Sequence, residues 1–169
     1  MPAMTPPAPL AAPSLRRRMA CFIYEGVLLF GVVMIAGWLF STLTQQRNAL
    51  THRHELQAFL FLVLGIYFIW FWSHGGQTVA MKTWHIRLLS ADGLPLSEKA
   101  SGMRYILSWV WFIPGLAIGW WSGLKGGELL LPLLGNVLLW ALLAKLSPDG
   151  QFLHDRLAGT RLVDARPAR

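Results

Sequence analysis

The sequence predicts an all-α membrane protein, with four transmembrane helices, a small cytoplasmic β-hairpin and a short strand. Three observations carry that expectation. Of the 169 residues, 54% are hydrophobic and 14% charged, whereas an average soluble domain carries roughly 25% charged residues. Apolar runs long enough for a bilayer recur along the chain. The 15 Lys and Arg gather in alternate connecting segments.

Taken in order, MPAMTPPAPLAAPS holds five of the ten prolines and no charge. Such a stretch cannot bury a core, and residues 1–15 are expected to be a disordered Pro/Ala-rich tail. The first apolar run spans 19–43 and is broken only by Glu25. It exceeds the roughly 7–15 residues of a signal-peptide core, so it reads as an uncleaved first helix. The second, 56–73, has no charge. The third, 103–121, carries Pro114 near its middle, a residue that membrane helices tolerate. The fourth, 129–146, contains Pro132, Asn136 and, at its end, Lys145. The second and fourth are short, so snorkelling ends or local thinning are expected. Trp70, Trp72, Trp120 and Trp121 lie near span ends, at the depth of an aromatic belt.

Orientation follows from the basic residues. With the first segment in the cytoplasm, inner segments hold twelve of them and outer loops only Arg47, Arg53 and Lys125. That asymmetry puts both termini in the cytoplasm. The formal charge of +7 is not a nucleic-acid footprint, because the basic residues are scattered between apolar runs. No nucleic acid is expected as a partner; the lipid bilayer is.

Two inner segments are patterned. Gly75-Gly76-Gln77-Thr78 breaks the second span, and a short helix can run through Lys82. From Trp84 the period becomes two, with Trp84, Ile86 and Leu88 on one face and His85 and Arg87 on the other. This is a half-exposed strand. Ala91-Asp92-Gly93 is hairpin turn chemistry, with Leu94-Pro95-Leu96 returning beside it. Ser97 then caps the helix leading into the third span. In the tail, 151–157 can form one or two helical turns that Gly159 stops. Thr160 to Val163 alternates as a short strand, which must pair with the strand at 84–89 because it cannot stand alone.

Taken together, RRRMACFIYEGVLLF (16–30), GQTVAMKTWHIRLLSADGLPLS (76–97) and LHDRLAGTRLV (153–163) resemble the RDD family of small, mainly bacterial, multi-spanning membrane proteins. The likeness implies one membrane domain over 16–165, a basic tail at 166–169 and residence in the bacterial inner membrane. It places the family arginine at Arg17 or Arg18, the first acidic residue at Glu25 and the second aspartate at Asp155. The middle block matches the family's Gly-Gln-Thr and basic residue at Gln77 and Lys82. This chain departs by having Glu where the family has Asp.

Glu25 lies six residues into the first apolar run, roughly 9 Å below its entrance. A carboxylate there must face the bundle, find a partner or take up a proton. Arg18, seven positions earlier, shares its helical face and can reach toward it. Asn136 is another possible donor. One reading is an ion or proton relay, or part of a polar substrate pocket; the other is a structural ion pair. Asp155 could meet the entrance arginine or anchor the tail. The HRH sequence at 52–54 lacks a full ligand set, and the lone Cys21 removes disulfides. No nucleophile–base constellation, phosphate loop or zinc motif is present. Neither an enzyme nor a bound cofactor or metal is expected.

Resemblance to the family implies a small transporter or transport-associated protein, with monovalent cation/proton exchange as its concrete form. Four spans are few for a carrier, so a homo-oligomer or a partner membrane protein is expected. The alternative is a non-transporting accessory or scaffold protein that engages a partner through its cytoplasmic hairpin.

Overall fold

The computed structural model describes residues 11–45, 52–147 and 150–166. The expectations for Arg47, for the tail before residue 11 and for residues 167–169 lie outside the described residues. Among the described residues, three helices are long and apolar enough to cross a membrane. They are α1 (Leu15–Leu43), α2 (Arg53–Gly75) and the run Gly126–Leu146, a 3-10 turn continued by α6 (Leu130–Leu146). At 1.5 Å per residue the 29 residues of α1 extend about 43 Å, well beyond a hydrocarbon core of about 30 Å. Their outward faces are bare apolar surface, with Ile23, Phe30, Ile35, Trp38, Ile66 and Leu131 exposed. In water that surface would be untenable; lipid tails suit it.

The predicted third span is not one helix. Helix α4 (Glu98–Ser108) ends in a 3-10 turn at Trp109–Trp111, and α5 (Ile113–Trp121) starts afresh. Pro114 is the cause. It has no N–H to give the carbonyl of Val110, four residues back, and its ring crowds that position. In the first turn of a new helix, where N–H groups have no intrahelical acceptor, proline is harmless. Asn136 of α6 takes over the exposed backbone, donating to the carbonyls of Val110 (3.3 Å) and Trp111 (2.6 Å). Glycine sets the crossing of α5 on α6. A Cβ at Gly115 would come within 2.9 Å of the Pro132 carbonyl, and one at Gly119 would strike Leu129. This is the small-residue spacing that lets membrane helices approach closely.

The sheet differs from expectation in two respects: the strand expected from Trp84 starts only at Ile86, because Trp84 closes the preceding short helix and His85 turns the chain at φ +51°, and the return strand is missing. Strand β1 (Ile86–Ser90) pairs antiparallel with β2 (Thr160–Asp164), in the register Ile86 to Asp164 and Ser90 to Thr160. The tight turn is present. Gly93 sits at φ +83° and donates to Ser90 O at 2.9 Å, and Ser90 N donates to Leu94 O at 2.9 Å. Ladder bonding stops there: the expected return strand at 94–96 is absent, and among the described residues the sheet has two strands. Pro95 cannot donate to a ladder, and Leu94 faces outward, whereas β2 brings Leu162 and Val163 to burial. Ile86 and Leu88 point into the core while Arg87 points out, as the alternation requires, but Leu89 on the opposite face is buried as well.

Short helices α3 (Val79–Thr83) and α7 (Leu153–Leu157) pack between the sheet and the long helices. Ser97 caps α4, accepting from Ala100 N at 3.2 Å. The Trp residues divide: Trp70, Trp120 and Trp121 are exposed at helix ends, but Trp72 is buried in the core, beneath the Arg104 guanidinium at 4.2 Å.

Candidate functional site

Helix α1 carries all three N-terminal polar residues of interest, and its geometry sends each to a different place. Successive residues on a helix differ by about 100°, so Arg17 and Arg18 cannot serve the same partner. Arg17 faces the strand ends. Its Nη1 donates to Asp164 Oδ2 at 2.6 Å and its Nη2 to the carbonyls of Trp84 (2.5 Å) and His85 (3.0 Å). Asp164 also accepts from Arg166, and these two cations hold its carboxyl well below the usual range. Arg17 is thus the clasp between α1 and the sheet.

Arg18 turns inward instead and is 6% exposed. Its guanidinium lies over the Phe152 ring, 4.4 Å from the centroid. It does not reach Glu25, contrary to the sequence expectation, because its stem runs toward the tail rather than along its own helix.

Glu25 is 8% exposed and held by neutral hydroxyls. Tyr67 of α2 donates to Oε1 at 2.7 Å, and Thr78 donates to Oε2. Thr78 is fixed by its second role as the N-cap of α3, where its hydroxyl accepts from Met81 N at 3.2 Å. A hydroxyl that accepts a backbone N–H has its own proton free to aim elsewhere, here at the carboxyl. Neither Arg17 nor Arg18 nor Asn136 touches Glu25. Asn136 is committed to the broken helix, and Gln77 to the carbonyl of Ile86 at 2.7 Å. Lys82 lies exposed on α3.

Asp155 is completely buried and meets a residue that sequence reasoning had counted only for its charge. Arg104 of α4 donates to Oδ1 from Nε (2.9 Å) and Nη2 (2.7 Å). The entrance arginine Arg17 is not its partner. Arg18 lies within electrostatic reach of Asp155 without a hydrogen bond. His154 completes the group. The Trp111 indole, which can only donate, bonds to Nδ1 at 2.9 Å, so that nitrogen must be bare. The proton of the neutral ring therefore sits on Nε2, 3.3 Å from Asp155 Oδ1. Burial pushes the His154 pKa down to about 4, against the pull of Asp155.

Arg18, Glu25, Thr78, Arg104 and His154 border one cleft of about 630 Å³ between α1, α2, the broken segment and the tail. The structure therefore brings together Arg18 and Glu25 on a shared wall, with Asp155 behind it through Arg104 and His154. It leaves Arg17, Asn136, Gln77 and Lys82 outside. Among the described residues, no three His, Cys, Asp or Glu side chains are grouped as metal ligands. Sequence reasoning missed Tyr67, Thr78 and Arg104. A phenol inside an uncharged span needs a partner, and a buried arginine at the head of an apolar run needs a carboxylate; both signals were there.

No curated protein and no solved structure matches the chain. The sequence model of the RDD family matches residues 12–159, which take in the whole of the three long apolar helices, the glutamate with its hydroxyl partners and the buried Asp155–Arg104 pair. The chain is a membrane protein and belongs to the RDD family.

Proposed function

We propose that the protein is a small transporter or transport-associated protein of the bacterial inner membrane, exchanging a monovalent cation for a proton at Glu25. The observation that carries the reading is the company Glu25 keeps. Its carboxyl is buried on the wall of a cleft and bonded to two hydroxyls. A carboxylate locked to a guanidinium is used up by structure; one held by neutral donors keeps its charge available for a proton or a cation. In this reading the broken α4–α5 segment makes a further crossing between α2 and α6, for four in all. The sheet and both termini then face the cytoplasm, in accord with the twelve-to-three distribution of basic residues. A path enclosed by so few helices needs a second copy or a partner membrane protein.

Proteoliposomes carrying an imposed pH gradient test the assignment. Addition of sodium or potassium dissipates the gradient with the native chain, and Glu25→Gln abolishes the effect while its thermal stability stays near native. Glu25→Asp, the commoner family residue, retains flux. Normal exchange by Glu25→Gln would remove Glu25 from the mechanism.

A further inference from the structure

We propose that the cleft between α1, α2 and the broken segment seats one anionic lipid, its charged head on Arg18 and an acyl chain along the apolar wall. This goes beyond the transport reading and does not rest on it. The first observation is the state of Arg18. Although only 6% exposed, its Nε and Nη1 hydrogen-bond to nothing, and its ring contact with Phe152 supplies no acceptor. Buried guanidinium N–H groups without acceptors are costly, and the other arginines nearby do not share the condition. Arg17 is spent on Asp164 and two carbonyls, and Arg104 on Asp155.

The second observation is charge. Arg18 and Arg104 face a single carboxylate, Asp155, whose Oδ1 Arg104 already occupies. His154 is neutral, with its Nδ1 bonded to the Trp111 indole. Glu25 is seven residues from Arg18, about 10 Å along the axis, and is taken by Tyr67 and Thr78. This end of the cleft therefore carries one uncompensated positive charge, and a monoanionic head restores balance.

The third is the rest of the wall. Leu29, Leu64, Phe68, Leu116 and Leu133 line it, and a Cβ at Gly26 would meet no atom within 4 Å. At about 630 Å³ the volume lies within the ~300–1,000 Å³ of ordinary ligand sites. An inorganic anion would satisfy Arg18 and leave that surface wet. A lipid satisfies both and reaches the cleft from the bilayer. The competing occupant is water bridging Arg18 to the bare Oδ2 of Asp155.

Native mass spectrometry of the full chain in detergent decides between them, with phosphatidylglycerol and phosphatidylcholine of identical chains as probes and melting temperature as a second readout. One phosphatidylglycerol is expected to stay bound with about tenfold preference over phosphatidylcholine and to raise the melting temperature. Inorganic phosphate alone should not raise it. Arg18→Gln should reduce phosphatidylglycerol to the phosphatidylcholine level. Gly26→Leu, which fills the chain's space without touching a charge, should also displace it, and serves if Arg18→Gln does not fold. Equal retention of both lipids by the native chain would overturn the proposal in favour of bridging water. Undiminished phosphatidylglycerol binding by either variant would do the same, as would protection by phosphate equal to that of the lipid.

Discussion

Replacing Asp155 by Asn should be among the most damaging single changes in this protein, and more damaging than removing the arginine it binds. The Asp155 carboxylate is fully buried, with Arg104 on Oδ1 and Arg18 in electrostatic reach. Breaking a buried ion pair by deleting one member typically costs about 3–5 kcal/mol, because the survivor keeps its desolvation penalty. Asp155→Asn strands Arg104 and takes from Arg18 the carboxylate within its electrostatic reach, which places it at the upper end of that range. Arg104→Gln leaves Asp155 with Arg18 still nearby, so its cost should fall at the lower end. The double variant removes the pair together and should recover most of the loss, since replacing both partners is often close to neutral. For a chain of this length ~1 kcal/mol shifts the melting temperature by roughly 2–4 °C. Asp155→Asn should therefore melt at least about 10 °C below the native chain, with Arg104→Gln in between. Thermal scans of purified protein in one detergent, at one concentration and scan rate, make the comparison. If Arg104→Gln is as damaging as Asp155→Asn, or the double variant is worse than either, the charge accounting around Asp155 is wrong.

Three further outcomes are expected. Gly115→Leu should lower the melting temperature by the equivalent of about 1–3 kcal/mol, because a Cβ there meets the Pro132 carbonyl at 2.9 Å; Gly37→Ala, with nothing within 4 Å, should be neutral or slightly stabilising. Acid should weaken the fold through His154. Its folded pKa of about 4 lies below the ordinary 6.5, so only the unfolded chain takes up the proton between those values. Stability present above pH 6.5 then falls by about 3 kcal/mol as pH approaches 4. His154→Gln should flatten that slope in melting temperature against pH. In a Cys21→Ser background, a cysteine at Asp92 should escape an impermeant thiol reagent on intact cells, while one at Lys125 should react; the reverse pattern would invert the orientation.

Legibility tracked the range of the interaction. The helices α1, α2 and α6 were readable because spanning a bilayer is a property of a continuous run. The strands were readable from period two, and the turn at Gly93 from its need for positive φ. The return strand failed because turn chemistry fixes the turn alone; burial chose the partner, and Thr160–Asp164 buries more than Leu94–Leu96. The helix break at Pro114 depended on Asn136, a residue of another helix, being placed to take the freed carbonyls. Site residues Glu25 and Asp155 stood out as carboxylates in poor surroundings, but their partners did not. Tyr67, Thr78 and Arg104 are 42, 53 and 51 positions away from them, and no local period carries such information. Arg17 and Arg18 are neighbours in sequence and opposites in space, a distinction made only by helical rotation.

The pairing of β1 with β2 also imposes a timetable. Ser90 leaves the ribosome about 70 residues before its partner Thr160, an interval of roughly 4–14 s at ~5–20 residues per second. During that time the edge of β1 is open, Arg17 lacks Asp164 and Arg104 lacks Asp155. The helices α1 and α2 can already be in lipid while the element that neutralises their neighbours has not been synthesised. Arrival of the segment from Leu153 to Asp164 supplies the carboxylates and the second strand in one stroke, so the assembly closes late and all together. A chain interrupted after α6 would carry inserted helices and two arginines without their carboxylates, a half-finished object whose exposed edge and unbalanced charge distinguish it from the completed one.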